Sequence, residues 1–250
     1  MKIIDIGMYD GSDTRYYLEG GHRVVGVEAN PALCDLAKRT FAAYVASGQL
    51  DVVNAAISNA PGELDLQISG RALSSSSLDH DRVSDLIPIG TCRVRALSFE
   101  KLLHAHPRAD FIKIDIEGGE GECVRALGRE TAPVYLSFEA TEEIHDLVAH
   151  LSAIGYGHFK IIQQTTFRSL RRQNRIADRL ARKAIRFLGY DGAAYVKRNG
   201  RLFWLEHSAG PAPWESDGAW ESASAVCECW AAARERGELS GWYDVHAMRA

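Results

Sequence analysis

Three groups of residues in this 250-residue chain have the types and spacing to do chemistry. The first is a set of carboxylates, Asp5, Asp10 and Asp13, disposed around Gly7-x-x-x-Gly11. Three negative charges there would repel a pyrophosphate and attract a cation. The second is Glu28, at the end of the apolar run that begins at Arg23. Its two oxygens match two adjacent ribose hydroxyls. The third is Lys113-Ile114-Asp115-Ile116-Glu117-Gly118. Asp115 can orient or deprotonate an acceptor hydroxyl there. Lys113 shares its face of an extended chain, should pair with it, and joins Glu117 as a candidate for contact with substrate. His207 and His80 are further candidate bases, because imidazole titrates near neutrality.

These groups need elements to hold them. Lys2–Ile6 reads as a strand, Asp13–Glu19 as a helix and Arg23–Glu28 as a second strand. A helix from Pro31 to about Ala46, a strand over Leu50–Ser58 and an extra strand over Glu63–Ile68 follow. Leu73–Leu78 reads as a loop and Cys92–Leu97 as extended; Ser98 caps a helix through Leu103. Ala109–Ile116 reads as a central strand, Glu120–Leu127 as a helix, Val134–Glu139 as a strand, Glu142–Ile154 as a helix and His158–Gln163 as a strand. This alternation predicts an α/β fold with a mostly parallel, doubly wound sheet and helices on both faces. Ligands of such sheets bind at the carboxyl ends of the strands, which selects Asp5, Glu28, Asn54, Asp115 and Glu139. The strand–turn–helix–strand–Glu layout suits a nucleoside cofactor. The glycine spacing departs from G-x-G-x-x-G, and the acidic loop fits S-adenosylmethionine, a sulfonium without phosphate, better than NAD. Asn54-Ala55-Ala56-Ile57 offers a small, flat slot for the base.

The chain is expected to be one domain: a cofactor-binding core over 1–167, an Arg-rich insertion or lid over 168–190, a hairpin over 191–207 and an extension over 208–250. The Arg-rich stretch has eight basic residues from Arg168 to Arg186 against the single acid Asp178, with a helical stripe at Ile176, Leu180, Ala184 and Leu188. It reads as a solvated helix face, as a lid whose Arg172 and Arg175 attract an anionic acceptor, or as a nucleic-acid contact. Asn199-Gly200 between apolar runs signals the hairpin, and Ala223–Glu235 a further helix.

Composition narrows the classes. A net charge of −4 does not suit a molecule built as a whole for nucleic acid or membrane surfaces. No apolar run approaches the roughly 20 residues of a membrane span, and the first residues enter a core strand rather than a signal peptide. Of five cysteines, Cys34 and Cys123 fall in apolar helical patterns, and Cys227-x-Cys229 lacks the second pair a zinc site needs. A reduced, cytoplasmic setting is expected; nothing points to a required metal, although Asp115 with Glu117 or Glu139 could hold one.

Asp5-Ile6-Gly7-Met8-Tyr9-Asp10-Gly11-Ser12-Asp13-Thr14, Val27-Glu28-Ala29-Asn30-Pro31, Asn54-Ala55-Ala56-Ile57-Ser58 and Ile112-Lys113-Ile114-Asp115-Ile116-Glu117-Gly118 resemble the FkbM-type S-adenosylmethionine-dependent methyltransferases, in order and spacing, over about Ile3 to Ala140. The resemblance implies a Rossmann-like class I methyltransferase fold and O-methylation of a sugar or natural-product hydroxyl. It carries Gly7, Glu28 and Asp115 over as cofactor-cleft positions; the family commonly has Asn where this chain has Tyr9. The cofactor set is thus Asp5, Gly7, Tyr9, Gly11, Asp13, Thr14, Glu28, Ala29, Asn30, Ala56, Ile57 and Asp115. Asp115 and His207 are the candidate catalytic residues, and Lys113, Glu117, Glu139, Arg172 and Arg175 face the acceptor. The rivals are a non-catalytic cofactor-binding or nucleic-acid-associated module and an NAD-linked oxidoreductase.

Overall fold

Ile3, Ile4 and Ile6 have no exposed surface. A strand buried on both faces must lie inside a sheet covered from two sides, and β1 (Lys2–Ile6) does. The computed structural model describes all residues except 61, 70–87, 117, 173–194, 199, 205–207 and 240, and it divides into two compact units, Met1–Val134 and Tyr135–Ala250.

In the first unit β1 lies between β2 (Arg23–Glu28) and β7 (Phe111–Ile114), and β2 pairs onward with β3 (Leu50–Asn54), all parallel. The order β3-β2-β1-β7 means that the chain moves outward one way from β1 and later returns to its other side. The crevice beyond the carboxyl ends of β1 and β7 is therefore the topological switch point, where open α/β sheets hold ligands. The connections are α1 (Ser12–Glu19), α2 (Pro31–Thr40), α3 (Ala42–Ala46), α4 (Phe99–Ala105) and α5 (Glu120–Arg125). Asn30 and Ser98 cap α2 and α4 by accepting from Ala32 N–H and Lys101 N–H.

A smaller sheet, β4 (Ala56–Ile57), β6 (Pro88–Leu97) and β5 (Glu63–Ser69), branches from this frame. The single strand expected over Leu50–Ser58 splits after Asn54: Ala55 N–H makes the last ladder bond to β2, at the Glu28 carbonyl, and the next residues, β4, pair with β6 instead. The helix expected from Pro31 to Ala46 splits at Phe41, whose backbone (φ −107°, ψ 26°) leaves the helical region while its ring is buried.

The second unit orders β10 (Arg168–Ser169), β9 (Tyr156–Gln163), β13 (Tyr243–Arg249) and β8 (Tyr135–Glu139), with β13 antiparallel to both neighbours. Its helices are α6 (Ile144–Ala153) and α7 (Ala223–Glu235), and the hairpin β11 (Tyr195–Arg198)–β12 (Arg201–Trp204) forms around Gly200 as its sequence predicts. Strand β13 has no counterpart in the sequence reading. Both of its faces are buried, yet one carries Asp244 and His246. In register across three strands, Ser137, His246 and Lys160 form a buried polar row. Ser216 covers it: its Oγ lies 2.9 Å from His246 Nδ1, and its carbonyl accepts from Lys160 Nζ at 3.0 Å. Burial, reinforced by the Lys160 charge, lowers the His246 pKa to about 3. Arg168–Arg172, expected to open a helix, instead forms β10 and a 3-10 turn; the rest of that expected helix lies outside the described residues.

Candidate active site

The two strands at the switch point nearly touch at their ends. Gly7 follows β1 in the left-handed region (φ +82°), and a Cβ there would overlap the Asp115 carbonyl oxygen and lie 2.7 Å from its carbon. Gly11, also left-handed, precedes α1, and a Cβ there would stand 2.5 Å from the Phe41 ring. Both glycines are thus demanded by the chain's own packing as well as by any ligand. Between them Tyr9 adopts φ 50°, unusual for a residue with a side chain, and its N–H donates to Glu28 Oε2 at 2.9 Å. Glu28 Oε1 accepts from Asn30 N–H at 2.8 Å. The carboxylate is therefore fixed from both sides. Burial raises its pKa, against the lowering effect of these backbone donors. Asn54 Nδ2 pins the same corner by donating to the Glu28 and Ala29 carbonyls.

Beneath the turn lies a buried charge cluster. Lys113 Nζ stands 3.1 Å from Asp115 Oδ2, 3.2 Å from Asp13 Oδ2 and 3.7 Å from Asp5 Oδ1. Thr14 Oγ1 donates to Asp5 Oδ2 at 2.7 Å. The Lys113 pKa is pushed well above its usual value: burial opposes the charge, but the three carboxylates outweigh it. The expected Lys113–Asp115 pair is present, and Asp115 keeps a third of its side-chain surface exposed (33%).

Several expected contacts are corrected by burial. Asp5 and Thr14 have no exposed surface, so neither presents an atom to a ligand. Asp13, one of the residues expected to meet the cofactor, is buried and pairs with Lys113. Lys113, expected to face the acceptor, is buried among its carboxylates, which match its three donors. Asn30 spends its side chain capping α2. Ala56 packs with Leu66 and Val94 in the core of the small sheet rather than lining a base slot. Asp10 is a turn residue that accepts from Ser12 N–H. Gly7, Tyr9, Glu28, Ala29, Asn54, Ile57 and Asp115 stay partly exposed around the switch point.

Glu139 ends β8 in the second unit. Arg172 closes the 3-10 turn, with its side chain outside the described residues, as are Glu117, Arg175, His80 and His207. Glu120 opens α5, as expected of a residue in the first turn of that helix. Its buried carboxylate accepts from Ile116 and Gly118 N–H and so fixes the turn after Asp115. A Glu in the first turn of a helix reaches back to orphan donors in this way in a capping box.

A parallel sheet with its switch point between β1 and β7, a left-handed glycine turn after β1 and a fixed carboxylate after β2 define an α/β protein that binds a nucleoside cofactor. The family model described as methyltransferase FkbM domain matches residues 5–157, more than half of the chain, which therefore belongs to the FkbM methyltransferase family. It is an S-adenosylmethionine-dependent methyltransferase (EC 2.1.1.-) of the Rossmann-like class I fold, which sets aside the oxidoreductase and non-catalytic readings. Solved structures are similar at low identity. A TehB-like SAM-dependent methyltransferase from Corynebacterium glutamicum is 16% identical (TM-score 0.35; 64% of this chain and 68% of that chain). A predicted O-methyltransferase from Agrobacterium tumefaciens is 14% identical (TM-score 0.36; 67% and 66%). A SAM-dependent methyltransferase from Thiobacillus denitrificans in complex with S-adenosyl-L-homocysteine is 11% identical (TM-score 0.35; 100% and 85%). No curated protein matches the chain. Among the described residues no helix is long and apolar enough to cross a membrane, and no group of three or more His, Cys, Asp or Glu is placed to hold a metal ion.

Proposed function

We propose that this enzyme methylates a hydroxyl of a sugar-like or secondary-metabolite acceptor, with anionic acceptors the first to screen. The observation that carries the reading is Asp115. It is a partly exposed carboxylate at the carboxyl end of β7, beside the switch point, with Lys113 bonded to one oxygen from below. In this reading its other oxygen accepts the hydroxyl proton as methyl transfer develops.

The cofactor's fit rests on Glu28, whose two oxygens are fixed by backbone donors and suit the two hydroxyls of a ribose. S-adenosylmethionine supplies the methyl group on a sulfonium that departs as a neutral thioether. The chain's part is positioning. Glu28 and the Gly7–Gly11 turn fix one reactant, and Asp115 orients the other; holding reactants in line replaces much of the entropy of a bimolecular encounter. The Arg-rich stretch beginning at Arg168 supports an anionic acceptor by charge alone. The five free cysteines, with Cys34 and Cys123 buried, suit a reducing compartment such as the cytoplasm.

The test is calorimetric titration with S-adenosylmethionine, followed by an acceptor screen with radiolabelled methyl donor. Glu28→Ala should weaken cofactor binding by about 2 kcal/mol or more, the cost of lost charge-assisted hydrogen bonds. Asp115→Asn should lower turnover by roughly 10²-fold or more while cofactor affinity stays within a few-fold. Unchanged binding in Glu28→Ala, or label found on nitrogen or carbon acceptors alone, would overturn the proposal.

A further inference from the structure

We infer that Trp242 and Gln164 form a sugar-binding subsite at the carboxyl ends of β8 and β9, within the second unit. Only its use for the methyl acceptor rests on the function proposed above; the subsite itself stands on the residues of this unit. Strand β13 is antiparallel to both β8 and β9, so those two run the same way and their carboxyl ends meet the start of β13. That is the end of the strands at which α/β sheets hold ligands. Gln164 N–H donates to the Trp242 carbonyl at 3.0 Å, and Ala140 N–H to the Tyr243 carbonyl at 2.7 Å, so the ladders run on past the strand ends. Glu139 is opposite Asp244, Gln164 is opposite Trp242, and Trp242 stands two residues before Asp244. Alternation therefore puts all four on one face of the sheet. The 2.9 Å bond from Gln164 Nε2 to Asp244 Oδ1 agrees with that placement.

Trp214 and Trp220 pack on Tyr135, and Trp230 packs on Tyr243. Trp242 packs on no ring among the described residues and is 55% exposed, although its backbone is held in the ladder. A flat apolar face is thus offered to solvent from a fixed support, with an indole N–H at its edge. The carboxamide beside it is oriented before any ligand arrives, because buried Asp244 holds one of its N–H groups. It keeps an acceptor oxygen and a second donor.

This pairing of groups matches a pyranose ring. One side of such a ring is a flat patch of C–H groups that covers an indole face, and its rim carries hydroxyls that both donate and accept. A carboxamide, which also does both, satisfies two neighbouring hydroxyls at once. A phosphate would call for donors alone and an ammonium for acceptors alone.

Saturation-transfer NMR on the full chain, with S-adenosylhomocysteine present and the methyl glycosides of glucose, galactose and mannose as probes, reads the contact directly. Transfer should be strongest to the C–H protons of one sugar face. Trp242→Ala should weaken the best glycoside by about 10-fold, and Trp242→Phe, which keeps a ring, by less. Gln164→Ala should weaken it by about 3- to 10-fold. The urea midpoint of Trp242→Ala should match the wild type, since more than half of the side chain is in water, so a loss of binding there is not a loss of fold. No glycoside contact in the wild type, or an affinity that Trp242→Ala leaves within about twofold, overturns the subsite. A loss in Trp242→Ala with none in Gln164→Ala reduces the contact to apolar area and overturns it as well. Glycoside binding that depends on both residues, without methyl transfer to any sugar-bearing acceptor, upholds the subsite and overturns the acceptor reading. Methyl transfer to such an acceptor with KM unchanged in Trp242→Ala does the reverse.

Discussion

Replacing Gly7 with Ala should be among the most damaging single-methyl changes available in this protein. Two costs add. Ala in the left-handed region costs ~1–2 kcal/mol relative to its usual conformations. The new Cβ would also overlap the Asp115 carbonyl, whose carbon lies 2.7 Å away. An ordinary C···O contact needs roughly 3.3 Å, so the ends of β1 and β7 would have to part. The bond from Asp115 N–H to the Ile6 carbonyl, 3.0 Å long, holds those ends together. Losing it with a buried group left unpaired costs about 1–3 kcal/mol. The total is roughly 2–5 kcal/mol, a large share of the 5–15 kcal/mol typical of a whole domain. Two other glycines provide a scale. Gly21 is left-handed too, but nothing lies within 4 Å of its would-be Cβ, so Gly21→Ala should cost only the conformational ~1–2 kcal/mol. At Gly26 the obstacle is the flexible Met8 side chain, which can move aside. Urea denaturation of the three variants should rank Gly7→Ala well below the others. A Gly7→Ala loss no larger than that of Gly21→Ala would refute the claim that backbone proximity at the switch point demands glycine.

Two further outcomes follow from the buried charges. Lys113→Met should destabilise by about 3–5 kcal/mol near pH 8, because three carboxylates lose their common cation. The loss should shrink toward pH 5 as Asp5 takes up a proton, whereas wild-type Lys113, with its raised pKa, stays charged throughout; urea midpoints at the two pH values check this, and a loss below ~1 kcal/mol would count against the hub. In the second unit, His246 is buried neutral with its pKa lowered to about 3, so the unfolded chain binds a proton that the folded protein refuses. Stability should therefore be lost as pH falls from about 6.5 toward 3, and His246→Gln, with Ser216 still able to bond the amide, should flatten that part of the wild-type acid-denaturation profile.

The local elements of the first unit were legible because each carries its own short-range signal. Buried strands read as apolar runs, Pro31 and Ser98 mark helix starts, and Gly7, Gly11 and Glu28 stand where a nucleoside-binding turn needs them. The Lys113–Asp115 pair followed from their two-residue spacing on one strand. The tertiary structure alone decided what else those residues meet. Asp5 and Asp13 look like ligand contacts in the linear chain, and only the pairing of β1 with β7 brings Lys113 beneath them and withdraws them from solvent. Ala56 looks like a cofactor slot until the chain switches sheets after Asn54 and buries it against Leu66 and Val94. Strand β13 escaped notice because Asp244 and His246 break the apolar pattern of a buried strand. They are tolerable there only because Gln164 and Ser216, 80 and 30 residues away in sequence, supply their partners. Sequence specifies which local conformation each segment prefers. Which charges are buried together, and hence which face a ligand, depends on contacts between distant segments that no local window contains.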